Sequence, residues 1–384
     1  MSANLPEPDQ AAKRRSLAVQ ERLHEEIAQG GGFLGFERFM ELALYAPGLG
    51  YYMQAASPLG AAGDFVTAPE LSPLFGACVA RALADLLAQC PGAELLECGA
   101  GSGRLAAHVL AALAAEDRLP ERYLILELSG ARRAEQLATL QALAPQWLDR
   151  VHWLEQLPPA GGRRVIFANE LLNALPVQLF EVAADGVHER GVTLHDGRLH
   201  WHARPLADPV LAELVATHSL PPGYRSERCR VAGDWLRSVA AGLESGALLL
   251  IDYGFPAHER YHRQRASGSL RCHYRHSLGD DPLWWPGVQD LTADVDFSAL
   301  AAAAADAGLD LLGFADQASF LIDCGFADHL QALPQDAGAA LDAATAARLL
   351  LLPDQLGERV KVMALGRGLQ ASPVGFARDQ RHRL

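Results

Sequence analysis

The chain is 384 residues long, half of them hydrophobic, with a formal net charge of −13, and at roughly 100–200 residues per domain it holds about two packed units. That acidic balance argues against a surface that grips nucleic acid or anionic lipid as a whole, and the longest apolar runs, such as 247–251, fall far short of the roughly 20 residues of a membrane helix. The N-terminus MSANLPEPDQAAKRR has Glu and Pro ahead of its positive cluster and no apolar run, so it fits neither a secretory signal nor a transit peptide; a cytoplasmic protein without membrane insertion is expected.

In chain order, apolar residues at helical spacing over 17–41, broken by Gly30-Gly31-Gly32, predict two short helices. The loop that follows, APGLGYYMQAASPLGAAGDFVTAPELSPLFG, is too long for an ordinary connection. The aromatics Tyr45, Tyr51, Tyr52 and Phe65 in and beside it favour an ordered, functional loop. A helix is predicted around 74–87. Candidate strands at 94–98, 123–127, 151–154 and 165–168 then alternate with helical patterns at 104–115 and 132–143, which predicts a parallel sheet with helices on its faces.

A fifth strand at 247–252 is delayed by 177–246, a 70-residue insertion in which Asp185-Gly186 and Asp196-Gly197 predict β-hairpins. The irregular stretch 256–292 carries five arginines, four histidines and a Trp284-Trp285 pair, and reads as a lid or a partner surface. Two apolar runs, 309–314 and 360–365, read as antiparallel edge strands. The six cysteines contain no CxxC pair and are expected as reduced, mostly buried thiols.

The most informative stretch is AELLECGAGSGRLAAHVLAAL, a strand, a glycine turn and a helix. Glycines are needed where a chain leaves a strand sharply and a ligand approaches its backbone. The dinucleotide pattern G-x-G-x-x-G fails, because the sixth position from Gly99 is Arg104. The pattern acid-x-G-x-G-x-G is met by Glu97, Gly99, Gly101 and Gly103, with Ala100 inside the turn, and resembles the S-adenosylmethionine loop of class I methyltransferases. A carboxylate just ahead of the loop suits a ligand carrying an ammonium and a sulfonium, and would be a poor neighbour for a diphosphate. Glu127, 24 residues beyond Gly103, ends the next strand, where an acid can accept hydrogen bonds from both ribose hydroxyls.

Longer motifs then narrow the resemblance: GDFVTAPELSPLFG, LLECGAGSGRLA, YLILELS, FANELLNALPVQLF, LLIDYGFP, GSLRCHYRH, QDLTADVDFSALA and GERVKVMALGRG. Together they resemble the MidA-type methyltransferases, a family that includes the mitochondrial complex I assembly factor protein arginine methyltransferase, over nearly the whole chain. The resemblance implies a class I, Rossmann-like α/β sheet with helices on both faces, an N-terminal helical extension and a β-rich insertion. It implies S-adenosylmethionine as donor and a protein substrate, for the mitochondrial members an arginine on a respiratory-complex subunit. The chain divides accordingly into an N-terminal region with a donor-covering loop (1–90), a methyltransferase core (91–176 and 247–384) and the insertion (177–246). Two positions depart from the family: Asn173 stands where an acid is usual, and Gln178 where a histidine is.

Methyl transfer from a sulfonium is an in-line displacement that mainly demands alignment. An arginine acceptor is hard because its guanidinium stays protonated and delocalised; a carboxylate that grips some of its N–H groups fixes direction and concentrates charge away from the attacking nitrogen. Glu170, just beyond the fourth strand, is the candidate for that grip, with Asn169 beside it and Asp64 closing over the donor; the alternative role for Glu170 is an acid at a helix start. Asp252 either faces the cleft or caps a turn. The pairs His258/His262 and His273/His276 have metal-like spacing but irregular surroundings, and no metal is expected. Arg260, Arg263, Arg265, Arg271 and Arg275, interleaved with Tyr261 and Tyr274, motivate a competing RNA-methylating reading, against which the net charge of −13 argues. A third reading is an assembly factor that binds the donor without turnover.

Overall fold

The computed structural model describes residues 5–54, 67–333, 337–369 and 371–384. The first helix, α1 (Gln10–Gln29), starts earlier than the apolar spacing predicts because Asp9 caps it, accepting from the Ala12 N–H at 2.8 Å. Its opening turns are mostly polar, so no apolar period marks them, and its 20 residues correct the expectation of a short helix. Val19, Leu23 and Ile27 form one i, i+4 row and are at most 1% exposed; each such burial contributes about 1.5–3 kcal/mol. After the glycine break comes α2 (Phe36–Tyr45).

Strands and helices then alternate as predicted: α3 (Pro73–Gln89), β1 (Glu94–Cys98), α4 (Arg104–Ala115), β2 (Tyr123–Leu126), α5 (Gly130–Leu143), β3 (Val151–Leu154) and β4 (Gly162–Asn169). The predicted hairpins follow as β5 (Gln178–Ala183), β6 (Gly186–His195) and β7 (Arg198–Pro205). Next are α6 (Pro209–Thr217), β8 (Arg225–Arg228), α7 (Arg230–Ala241) and the long β9 (Leu243–Phe255). The segment expected to be irregular instead folds into a three-stranded sheet of β10 (Arg271–Tyr274), β11 (Ser277–Gly279) and β12 (Asp290–Thr292). The chain continues with α8 (Phe297–Asp306), β13 (Asp310–Asp316) and β14 (Val360–Arg367).

The central sheet has the order β13–β14–β9–β4–β1–β2–β3. Pairing is parallel from β3 across to β9, and β14 alone runs against its neighbours. β14 is therefore interior rather than an edge strand, which its near-continuous buried run Val360–Leu365 allows. On one face α3 and α4 bury Leu83, Leu86, Val109 and Leu110. On the other, α7 and α8 bury Leu236, Val239, Phe297 and Leu300; α7 thus packs on the central sheet although it lies within the stretch expected as an insertion.

A second core lies between α1, α2 and the hairpin sheet. Leu34 and Gly35 pair with Val192 and Gly191 of β6, and Phe36 stacks on Trp201 at 5.5 Å. Leu179, Val192, Cys272 and Leu291 join Val19, Phe36 and Phe39 there, so strands from three separate stretches of sequence meet the N-terminal helices. Among the described residues all six cysteines are free thiols, and no helix is long and apolar enough to cross a membrane.

Candidate active site

The order of the sheet reverses between β1 and β4, and in an open parallel sheet the crevice outside the carboxyl ends at such a point is the natural ligand site. A cavity of about 430 Å³ opens there. Its floor is the turn after β1, where Gly99, Gly101 and Gly103 have φ of 73°, 53° and 83°, the left-handed region in which a side chain costs energy. Space is equally restrictive: a Cβ on Gly99 would stand 2.9 Å from Leu171 Cδ1, and one on Gly103 3.1 Å from Gln136 Cα. Gly99, Ala100 and Gly101 line the cavity, whereas Gly103 is the N-cap of α4 and packs on Gln136.

Glu97 and Glu127 line the same cavity. Glu97 is 2% exposed and accepts from the Tyr123 hydroxyl at 2.7 Å; burial pushes its carboxyl up to about 7, against the pull of that hydrogen bond. Glu127 accepts from the Ser129 N–H at 2.9 Å and from Gln136 Nε2 at 3.0 Å. Gln136 Nε2 also donates to the Gly101 carbonyl at 3.1 Å, and its Oε1 accepts from Trp153 Nε1 at 2.9 Å. This buried glutamine ties the glycine turn to the strand-end acid. No local pattern marks it, since it reads as one more polar residue of an amphipathic helix.

Glu70 supports the turn from above, accepting from the Ser102 hydroxyl and pairing with Arg104 Nε at 2.9 Å. It lies within the quoted motif GDFVTAPELSPLFG, and an acid in so unusual a stretch was a signal available in the sequence. Asp64, in the same motif, lies outside the described residues.

Asn169 and Glu170 also line the cavity. Glu170 has φ 51°, rare for a residue with a side chain, and its N–H donates to the Ile251 carbonyl at 2.8 Å. Such strain persists where surrounding structure imposes it and clusters at functional sites. No helix begins at Glu170; a 3-10 turn follows over Leu172–Ala174. Burial pushes its carboxyl up to about 7, the charge of Asp290 adds to the rise, and the Ala68 N–H and the Asn169 amide oppose it. Tyr45, Tyr52 and Trp235 line the same cavity. Tyr45 and Tyr52 stack at 5.6 Å, with their hydroxyls on the Ala174 carbonyl at 2.9 Å and Asp290 Oδ1 at 2.7 Å.

Asp252 does not face the cleft. It is 1% exposed and accepts from the backbone N–H groups of Leu172, Asn173 and Tyr253 at 2.7, 3.2 and 2.8 Å, holding the turn that follows Glu170. Asn173 is buried outside the cavity lining; Asp290, behind Tyr52, adds to the rise of Glu170, and the charge of Glu170 in turn adds to that of Asp252. Gln178 is buried at the start of β5. The interleaved arginines are divided among separate jobs. Arg260 is buried against Glu227 at 3.4 Å, Arg263 holds the Ser219 carbonyl, Arg265 stacks over Phe255 at 3.8 Å and Arg275 over Tyr274 at 5.2 Å. His273 and His276 sit on and beside the β10–β11 hairpin rather than on a helix.

A glycine turn at a sheet's switch point, an acid beneath it, an acid at the end of the next strand and a reversed seventh strand define a class I S-adenosylmethionine-dependent methyltransferase. Residues 78–315 match the family described as "Putative S-adenosyl-L-methionine-dependent methyltransferase", and the chain belongs to that family. It is similar, at 44% identity over 99% of this chain and 100% of the other with a TM-score of 0.96, to a crystal structure of a "likely methyl transferase" from Burkholderia thailandensis bound to S-adenosyl-homocysteine. It is also 28% identical to the mitochondrial protein arginine methyltransferase NDUFAF7 of Danio rerio, over 87% of this chain and 83% of that protein. The Mus musculus protein of the same name is likewise 28% identical, over 85% and 79%.

Proposed function

We propose that this methyltransferase modifies an arginine side chain of a protein, with Glu170 gripping the guanidinium. The observation that carries the reading is the composition of the cavity: Glu170, held in strained backbone, shares its lining with Tyr45, Tyr52 and Trp235, with Asp290 buried behind Tyr52. Aromatic faces and carboxylates together favour a planar cation. The names of the relatives support the same acceptor.

In this reading Glu97 meets the donor's ammonium, Gly99, Ala100 and Gly101 let it approach the backbone, and Glu127 accepts from its ribose hydroxyls, while Gly103 sets the start of α4. S-adenosylmethionine supplies, when bound, a methyl group activated by its sulfonium. Glu170 and Asn169 orient the acceptor nitrogen toward that methyl, and Glu170, poised near neutrality, is drawn into its ionised form by the arriving cation. The proton lost after transfer leaves through the same carboxylate or solvent.

The test is to incubate the purified protein with S-adenosylmethionine carrying a deuterated methyl group and a lysate of cells deleted for its gene, and to map labelled residues by mass spectrometry. Labelled methylarginine that disappears with Glu170→Gln supports the reading. Labelling confined to another residue type refutes it, and donor binding without any labelling would favour an assembly factor that no longer turns over.

A further inference from the structure

A second cavity of about 430 Å³ lies at the same carboxyl edge of the sheet, beyond β9, β13 and β14. Its lining is dominated by charge, with Arg265, Arg271, Arg359, Lys361 and Arg383 against Glu259, Asp294, Asp316 and Glu358. The acids are largely engaged: Glu259 pairs with Arg383 at 2.7 Å, and Asp316 caps the helix Gln317–Asp323 and accepts from Gln380 Nε2 at 2.6 Å. The bases are not. Lys361 is 1% exposed, yet its ammonium has the Glu358 carbonyl and, at 5.3 Å, the Phe255 ring as partners. No described carboxylate stands within 4.0 Å of Lys361, Arg359 or Arg271.

A buried ammonium with no carboxylate in contact is costly, because the more distant charges of Asp316, Glu259 and Glu358 repay only part of its desolvation. Burial does pull Lys361 down to about 8, which still leaves it mostly charged at neutral pH. An anionic ligand would complete its surroundings, with the exposed Arg359 and Arg271 at the mouth adding charge-assisted donors.

The cavity is also placed to serve the acceptor site. Glu170 bonds to the carbonyl of Ile251, and the next residue of β9, Asp252, pairs in register with Lys361 of β14. Two strand spacings, roughly 10 Å, therefore separate the backbone of Glu170 from that of Lys361, and an extended chain covers that distance in about three residues. Tyr253 lies between the two, with Arg359 over its ring at 6.0 Å.

We propose that this cavity is a specificity subsite that takes the carboxylate of an acidic side chain about three residues from the target arginine of the protein substrate. The proposal rests on the arginine reading for its geometry, but anion binding at Lys361 stands or falls separately.

The experiment is calorimetric titration, with S-adenosylhomocysteine present so that nothing turns over, of two synthetic peptides, acetyl-Gly-Arg-Gly-Gly-Asp-Asp-Gly amide and its Asn-Asn twin. Lys361→Met and the surface change Arg359→Ala are compared with the unaltered protein, and unchanged S-adenosylhomocysteine affinity confirms folding. The acidic peptide is expected to bind about tenfold tighter than its twin, with the preference lost in Lys361→Met and reduced in Arg359→Ala. Equal affinity for both peptides overturns the proposal, as does a preference that survives both substitutions. Inorganic phosphate is the third probe: Lys361-dependent phosphate binding with no peptide preference would identify a free-anion site and overturn the substrate role. If an acidic peptide with glutamine in place of arginine binds as well as the original, the arginine reading fails while the subsite stands.

Discussion

Gln136 donates through a single amide nitrogen to Glu127 Oε2 at 3.0 Å and to the Gly101 carbonyl at 3.1 Å. One fully buried side chain on α5 therefore fixes the distance between the two parts of the cavity that the donor's ribose and backbone-facing groups would span. Trp153 Nε1 in turn orients its oxygen at 2.9 Å.

Gln136→Leu should consequently weaken S-adenosylmethionine binding although it touches no donor atom. Losing this network leaves the half-buried Trp153 N–H and the Gly101 carbonyl without their partner, which costs on the order of 1 kcal/mol. Calorimetry should show roughly tenfold weaker binding, alongside a lower melting temperature; an unchanged affinity would show that Glu127 orients itself.

Gly103→Ala should be more damaging than an ordinary helix-start substitution. The residue sits at φ 83°, and its added Cβ would be 3.1 Å from Gln136 Cα and 3.2 Å from Gln136 O. Left-handed strain alone costs roughly 1–2 kcal/mol, and the crowding would push α4 and α5 apart. Denaturant unfolding should register the loss, with weaker donor binding following from the displaced Gln136.

The donor's stabilising effect should grow with pH. In the folded protein burial holds Glu97 and Glu170 up at about 7, against a usual value near 4.3 in an unfolded chain. Between those values the folded state keeps protons that the unfolded chain has released, so stability falls as pH rises through that window. For the fully buried Glu97 the loss is on the order of 3 kcal/mol. A cationic ligand compensates the desolvated carboxylate, so the rise in melting temperature on adding S-adenosylmethionine should be larger at pH 8 than at pH 6. The same shift at both values would mean that Glu97 does not meet the ammonium.

Glu170→Gln should separate binding from transfer. The amide keeps the size of the side chain and loses its charge, so S-adenosylmethionine affinity should stay within about twofold while turnover on an arginine substrate falls by roughly two or more orders of magnitude. A joint fall in donor affinity and turnover would place Glu170 in the donor site instead.

Arg260→Met tests a structural assignment. The guanidinium is buried with Glu227 and also donates to the Ser269 hydroxyl and the Glu227 carbonyl at 3.1 Å each. Removing it leaves the buried Glu227 carboxylate with the Ser269 and Leu270 N–H groups and the Ser269 hydroxyl but no counter-charge, a loss of up to about 3–5 kcal/mol, visible in thermal unfolding with donor affinity intact. A protein of unchanged stability would return this arginine to the candidates for ligand contact.

The alternation of apolar runs and helical spacing from Glu94 to Asn169 made the parallel sheet legible, because each element there is marked by its own period. The glycine turn was equally legible, since Gly99, Gly101 and Gly103 answer to backbone angles that a linear pattern can encode. Less local features escaped. The start of α1 depended on Asp9 rather than on an apolar stripe, and the interior place of β14 depended on which strand it paired with. Segment 256–292 read as irregular because its strands, which pair only with one another, are three or four residues long and too short to carry a period.

By itself, then, the sequence determined the order of strands and helices from Glu94 to Asn169, the turn at the switch point and the acids beside it, all set by short-range periodicity and backbone preference. Only the tertiary structure decided which carboxylates share a space. Asp252 was turned inward by three backbone N–H groups, Glu170 was left in the cavity, and Asp290 arrived behind Tyr52 from 238 residues away. Such meetings depend on how elements pack, and packing joins residues that no spacing along the chain relates.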